Sequence, residues 1–205
     1  MVKNAANLLV LLRTVLVFPT LAALSAESET LRGLGVALLV AVFLLDGVDG
    51  WVARRLRTST LTGGLLDTLG DRITENLLFV FFAWKRLVPL AVPLVFIARS
   101  FASDFVRSLL YRRGVGTFGI NTSRLGRLLV ASRTSRAAYL AGKFAVFLLG
   151  GVLLWREPAA GGPGAGVWLR PVLWWAALAV TAANVVRFAL LVYDSREVLR
   201  EELRA

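Results

Sequence analysis

The stretch DGVDGWVARRLRTSTLTGGLLDTLGD, residues 46–71, places four aspartates in two pairs within otherwise apolar sequence. Asp46 and Asp49 are three residues apart, and Asp67 and Asp71 are four apart. Both spacings put a pair on one face of a helix. A charge within a transmembrane helix costs from about 2.5 to more than 10 kcal/mol. Six of the 13 acidic residues nevertheless fall in or beside apolar stretches: these four, Glu75 and Asp104. Such residues persist only with partners, water or an ion to balance them.

Working outward, six stretches reach the roughly 20 apolar residues that a bilayer-crossing helix needs. They are 5–24, 33–53, 64–83, 87–111, 137–155 and 167–193. The first carries Arg13 at its middle and is too long for a signal-peptide core, so it is expected to remain as a span. Hydrophobic residues make up 57% of the 205, and the mean hydropathy is +0.70. Those values exclude a water-soluble globule and a disordered chain alike. No internal repeat or soluble domain is visible, so residues 1–205 read as a single all-α integral membrane domain of six transmembrane helices. With neither Cys nor His, disulfides, zinc sites, thiol nucleophiles and histidine bases are excluded.

The formal charge of +11 suggests nucleic acid until its placement is read. With the N-terminus inside, 13 basic residues fall on the cytoplasmic side and five on the other, while six lie in or beside spans. The charge is thus a topology signal and an attraction for anionic lipid, and no nucleic-acid partner is expected. Both termini are expected in the cytoplasm of a bacterial or archaeal cell. The segment Asp194–Ala205 reads as a solvated helical tail.

The loop between the second and third spans is basic and so cytoplasmic. An antiparallel pair of helices would therefore gather all four aspartates near that membrane face. Four clustered carboxylates largely protonate unless a cation balances them. Oxygen-only ligands point to Mg²⁺, Mn²⁺ or Ca²⁺. The alternative is an ion-pair network with Arg54, Arg55 and Arg72. The small residues Gly47, Gly50, Ala53, Gly63, Gly64 and Gly70 either let helices approach closely or leave room for a bulky ligand.

Asp46, Asp49, Gly50, Ala53, Arg54, Gly63, Asp67 and Asp71 fill, with every spacing matched, the motif D-x2-D-G-x2-A-R-x8-G-x3-D-x3-D. The chain thereby resembles the CDP-alcohol phosphatidyltransferases, and its first span, from Asn7 to Arg13 with Pro19, looks like that family's first helix. The resemblance implies a six-helix membrane bundle, a homodimer, and an active site on the cytoplasmic side. It implies transfer of a substituted phosphoryl group from a CDP-alcohol lipid, such as CDP-diacylglycerol, to an acceptor hydroxyl, with release of CMP. By the same carry-over Asp46, Asp49, Asp67 and Asp71 bind two divalent ions, Mg²⁺ or Mn²⁺, and Asp71 is also the general base. Asp46, Asp49, Gly50, Ala53, Arg54, Gly63 and Asp67 line the cytidine diphosphate site.

Arg99, Arg107, Arg136, Lys143 and Arg187 lie in or at the ends of spans four to six. Together they suggest an anionic pocket and hence a phosphorylated acceptor. The run from Ala98 to Arg107 is similar to the fourth helix of phosphatidylglycerophosphate synthases, with Ser100 where those enzymes carry Glu. Arg107, Arg136 and Arg187 are equally similar to the acceptor-phosphate residues of phosphatidylinositol phosphate synthases. Glycerol 3-phosphate and inositol phosphate therefore both stand as acceptors. An ion channel or transporter built on intramembrane carboxylates, or a non-catalytic lipid-binding relative, is the alternative reading. The first should show repeats and broken helices, and the second a degraded motif.

Overall fold

Along the first helix, α1 (Ala5–Ser25), the buried residues are Val10, Arg13, Val17, Thr20 and Leu24. They recur at intervals of three and four, while Leu8, Leu11, Leu12, Val15 and Phe18 face outward. A helix apolar on its outer face as well as its inner one is suited to lipid rather than water. The same habit continues through the computed structural model, which describes residues 5–55, 61–112, 123–156 and 168–202, apart from the side chains of 5, 6, 49–55, 61, 62 and 111. All regular elements among the described residues are helical.

After α1 come α2 (Glu29–Arg55), α3 (Leu61–Trp84) and α4 (Ala91–Arg112). A short helix α5 (Arg124–Gly126) then runs into a π-helical turn over Arg127–Ala131. The long helices α6 (Arg133–Arg156) and α7 (Leu169–Asp194) follow, and α8 (Arg196–Glu202) ends the described chain. Each of the six expected spans thus coincides with a helix of 21 to 27 residues. Among the described residues, four helices hold a stretch long and apolar enough to span by composition: α1, α2 (over Glu29–Val48), α6 and α7. The other two are interrupted by charge, α3 by Asp67, Asp71, Arg72 and Glu75, and α4 by Arg99, Asp104 and Arg107.

Helix α4 begins four residues later than its apolar stretch predicts. Arg86 adopts a left-handed φ of 56°. The Leu87 N–H donates to Phe82 O at 2.8 Å and the Arg86 N–H to Ala83 O at 2.9 Å. These paired bonds form a Schellman stop, and Leu87 and Phe82, the two positions that commonly pack together in that motif, are both buried. Pro89 then disfavours helix at Val88, and Pro93 falls in the first turn of α4, where no N–H is needed.

The chain divides into two compact units, 1–89 with 144–174, and 90–143 with 175–205. The core of the first is aromatic. Phe147 of α6 meets Phe79 of α3 at 4.6 Å between ring centroids and Phe43 of α2 at 5.7 Å. In the second unit, Val106 and Leu110 of α4 pack with Leu191 of α7 and with Val198 and Leu199 of α8. Helix α8, within the segment expected to be a solvated tail, is therefore docked through Val198 and Leu199.

Candidate active site

In the first unit, α1, α2 and α3 bring four charged side chains together. Oxygens of Asp46, Asp67 and Asp71 lie within 4.8 Å of one another. Asp67 and Asp71 occupy one face of α3 by their four-residue spacing, and Asp46 comes from α2. The carboxylates of Asp67 and Asp71 are about half exposed, at 47% and 50%. The fourth aspartate, Asp49, lies on the helical backbone of α2, as do Gly50, Ala53 and Arg54. Their side chains are outside the described residues, as are those of Arg55 and the expected loop.

Among the described side chains, Arg13 of α1 reaches all three carboxylates. Its Nη1 contacts Asp46 Oδ1 and lies 2.9 Å from Asp71 Oδ1, and its Nη2 donates to Asp67 Oδ1 at 3.0 Å. Arg13 is 2% exposed. The sequence marks it as a charge within a span, at the end of the Asn7–Arg13 stretch that looks like the family's first helix, but not as a partner of the aspartates. Its register with Val10 and Val17 on the buried stripe is the signal that could have found it.

Gly70 is what lets α1 come so close. A Cβ built there would lie 2.8 Å from Thr14 Oγ1, 3.0 Å from Val10 Cγ1 and 3.4 Å from Arg13 Nη2. By contrast, a Cβ at Gly47 or Gly64 would meet nothing within 4 Å. Of the glycines flanking the aspartates, Gly70 therefore serves packing, whereas Gly47 and Gly64 border open space. Gly63 lies on the first turn of α3, four residues before Asp67.

The three carboxylates suit a hard cation. Magnesium- and calcium-type ions bind oxygen at about 2.0–2.6 Å, so ligands across the ion stand about 4–5 Å apart. Oxygens of the three carboxylates all lie within 4.8 Å of one another, inside that range. The donors are all oxygen, and the surrounding sequence offers neither sulfur nor imidazole.

In the second unit, a cavity of about 410 Å³ is walled by α6 and α7, with Ala138, Gly142 and Ala183 along its sides. Ser135, Tyr139 and Arg187 supply polar groups to its lining. Tyr139 Oη donates to Oδ1 of the fully buried Asn184 at 2.9 Å. Its ring lies 4.9 Å from both Lys143 Nζ and the Arg187 guanidinium carbon, within cation–π range.

Arg187 grips the end of the π-helical turn. Its Nη1 donates to Leu129 O at 2.6 Å and Ser135 Oγ at 3.1 Å, and its Nη2 to Val130 O at 3.2 Å. Two turns further along α7, Asp194 Oδ1 accepts the Ser123 N–H at 3.3 Å. Ser123 in turn caps α5 by accepting the Gly126 N–H at 2.9 Å, and Ser132 caps α6 by accepting the Ser135 N–H at 3.1 Å. Helix α7 thus holds the 123–135 segment at both ends and fixes the start of α6. Arg136 lies exposed in that first turn, next to Ser135. Arg99 and Arg107 are half-buried on α4, eight residues apart.

Long lipid-facing helices and an oxygen-only carboxylate cluster define an integral membrane protein with a site able to hold a hard cation. The chain belongs to the CDP-alcohol phosphatidyltransferase family, which matches residues 3–183. It is similar to the CDP-diacylglycerol–glycerol-3-phosphate 3-phosphatidyltransferase of Aquifex aeolicus, at 38% identity over 90 residues, 42% of this chain and 49% of that protein. The enzyme of the same name from Rickettsia felis is 24% identical over 165 residues, 75% of this chain and 86% of that one. The archaetidylinositol phosphate synthase of Methanothermobacter thermautotrophicus is 28% identical over 106 residues, 52% of this chain and 54% of that protein. The chain thus spans about half the length of the first and third of these relatives. No solved structure matches it significantly.

Proposed function

We propose that the chain crosses the membrane six times and transfers a phosphatidyl group from a CDP-alcohol lipid, CDP-diacylglycerol or an ether-lipid counterpart, to the hydroxyl of a phosphorylated polyol. CMP is the second product. The observation that carries this reading is the convergence of Asp46, Asp67 and Asp71 within 4.8 Å, at motif positions of a family that covers nearly the whole chain. In this reading Asp49 completes the set, and the four aspartates hold two divalent ions, Mg²⁺ or Mn²⁺. When bound, the ions would clamp the diphosphate oxygens and neutralise charge on the departing CMP.

The protein's own part is positioning and proton transfer, which suits phosphoryl chemistry. Gly50, Ala53 and Gly63 give the nucleotide room, and the Arg54 fork pairs with phosphate. Asp71, half exposed and so within reach of an acceptor, takes the hydroxyl proton. The acceptor oxygen bonds to the lipid-bearing phosphorus as that phosphorus loses its bond to the CMP oxygen. Arg99, Arg107 and Arg136 bind the acceptor phosphate. Arg187 supports that site through the carbonyls and the Ser135 hydroxyl that set the first turn of α6. Both termini and the site face the cytoplasm, and the enzyme works as a homodimer.

Glycerol 3-phosphate is the favoured acceptor, because the relative covered over 86% of its length carries that substrate in its name. Inositol phosphate is the second reading, favoured by the archaetidylinositol phosphate synthase relative. The test is CMP release from CDP-diacylglycerol with Mg²⁺ or Mn²⁺, against glycerol 3-phosphate, inositol phosphate, serine and phosphatidylglycerol. Asp71→Asn is expected to bind the CDP-lipid as the parent does, with turnover reduced by about 10²-fold or more. Retained turnover in that variant contradicts the assignment of the base.

A further inference from the structure

One guanidinium reaches an oxygen on each of the three carboxylates that could together hold an ion. Arg13 contacts Asp46 through Nη1, which also lies 2.9 Å from Asp71, and Nη2 lies 3.0 Å from Asp67. Those three carboxylates are the ones whose oxygens fall within 4.8 Å. Arg13 therefore sits where a cation shared by them would sit, on a rigid helix and almost wholly removed from solvent.

We propose that Arg13 is a tethered counter-cation of this site: it holds the aspartates together when no ion is bound and competes with the ion for their oxygens. The inference rests on reading the cluster as a divalent-cation site, and it adds a residue that the motif does not contain. The physical grounds are threefold. A buried guanidinium is retained only where anions pair with it. Its planar fork reaches the three carboxylates from two separate nitrogens, a fixed spread that the single nitrogen of an ammonium lacks. Without it, three like charges gathered within 5 Å would repel one another, and the α1–α3 contact would lose its central attraction.

The consequence separates Arg13 from a residue that merely shapes the site. A residue that pre-forms the ligand cage helps the ion, so its loss weakens ion binding. A competing cation does the opposite. The contacts Arg13 must yield are charge-assisted, so their removal is expected to tighten Mn²⁺ binding by about tenfold or more.

The experiment uses the full chain in detergent micelles. Mn²⁺ binding is followed by the loss of the free-ion paramagnetic resonance signal, and the thermal midpoint is measured in chelator and in saturating Mn²⁺. Arg13→Gln is expected to have a lower midpoint in chelator, a tighter Mn²⁺ dissociation constant and a larger Mn²⁺-induced rise in midpoint. Arg13→Lys keeps the charge but loses the fork. It is expected to fall between the two, and it carries the test if the glutamine variant does not fold. Mn²⁺ binding equal to or weaker than that of the parent in a folded variant overturns the proposal. Failure of the parent chain to bind Mn²⁺ at all instead overturns the underlying cation-site reading.

Discussion

Replacing Gly70 with alanine puts a methyl group into the contact that seats α1 on the aspartate face of α3. The new Cβ would lie 2.8 Å from Thr14 Oγ1 and 3.0 Å from Val10 Cγ1. The hydroxyl cannot simply turn aside, because it donates to Val10 O at 2.8 Å. Overpacking of this kind costs about 1–3 kcal/mol. Alanine's better helix propensity returns about 1 kcal/mol, leaving a net loss of about 0–2 kcal/mol. Because the net is small, the informative quantity is the coupling to Thr14. In a Thr14→Ala background the nearest obstacle is gone, so the same glycine substitution should cost about 1 kcal/mol less, within the usual range for contacting residues. For a chain of this size that is about 2–4 °C in the unfolding midpoint. Midpoints of the parent, both single variants and the double variant in one detergent measure it. Equal drops in the two backgrounds would show that α1 does not approach α3 at Gly70, and the seating of Arg13 would have to be abandoned with it.

Gly126→Ala would drive its methyl group against the Asp194 carboxylate and Ser123 Oγ. The Asp194–Ser123 bond should break, and amide exchange across residues 123–135 should accelerate about tenfold or more, as expected for loss of a hydrogen bond to a charged group. Unchanged exchange there would mean that Asp194 does not hold the segment. Tyr139→Phe strands Asn184 Oδ1 in a fully buried position. It should lower stability by about 1–3 kcal/mol while keeping the ring beside Lys143 and Arg187, so a large fall in turnover without a shift in midpoint would contradict that structural role.

The aspartate pairing was legible because helical spacing is a property of one chain segment. Three and four residues suffice to place Asp46 with Asp49 and Asp67 with Asp71 on single faces, whatever packs against them. The six long helices were legible for the same reason, since bilayer-length apolar runs declare themselves locally. What the spacing could not supply was the identity of the partner. The expected partners Arg54, Arg55 and Arg72 are near the aspartates in sequence, whereas Arg13, which reaches three of those carboxylates, stands 54 residues from Asp67. The break between the third and fourth spans was legible, with Pro89 close by, but the left-handed turn at Arg86 was not. A left-handed helix end usually uses glycine, and here an arginine takes that conformation within a turn closed by two backbone hydrogen bonds.

The basic residues of the second unit show how a shared charge can conceal different tasks. Sequence groups Arg99, Arg107, Arg136 and Arg187 as one anion-binding set, because each is a cation in or beside a span. Yet two Arg187 nitrogens are committed to two carbonyls and a hydroxyl, and its guanidinium lies over the Tyr139 ring. A group bound in this way must give up formed bonds before it can grip a phosphate. Arg136 has no such obligation to the turn through its side chain in the contacts described, is exposed, and begins a helix whose first turn Arg187 fixes. In the proposed reaction Arg136 is therefore the better direct ligand, with Arg187 acting through Ser135. Arg187 substitutions should then raise the acceptor KM by loosening the 129–135 turn, whereas Arg136→Gln should raise it with amide exchange in that turn unchanged.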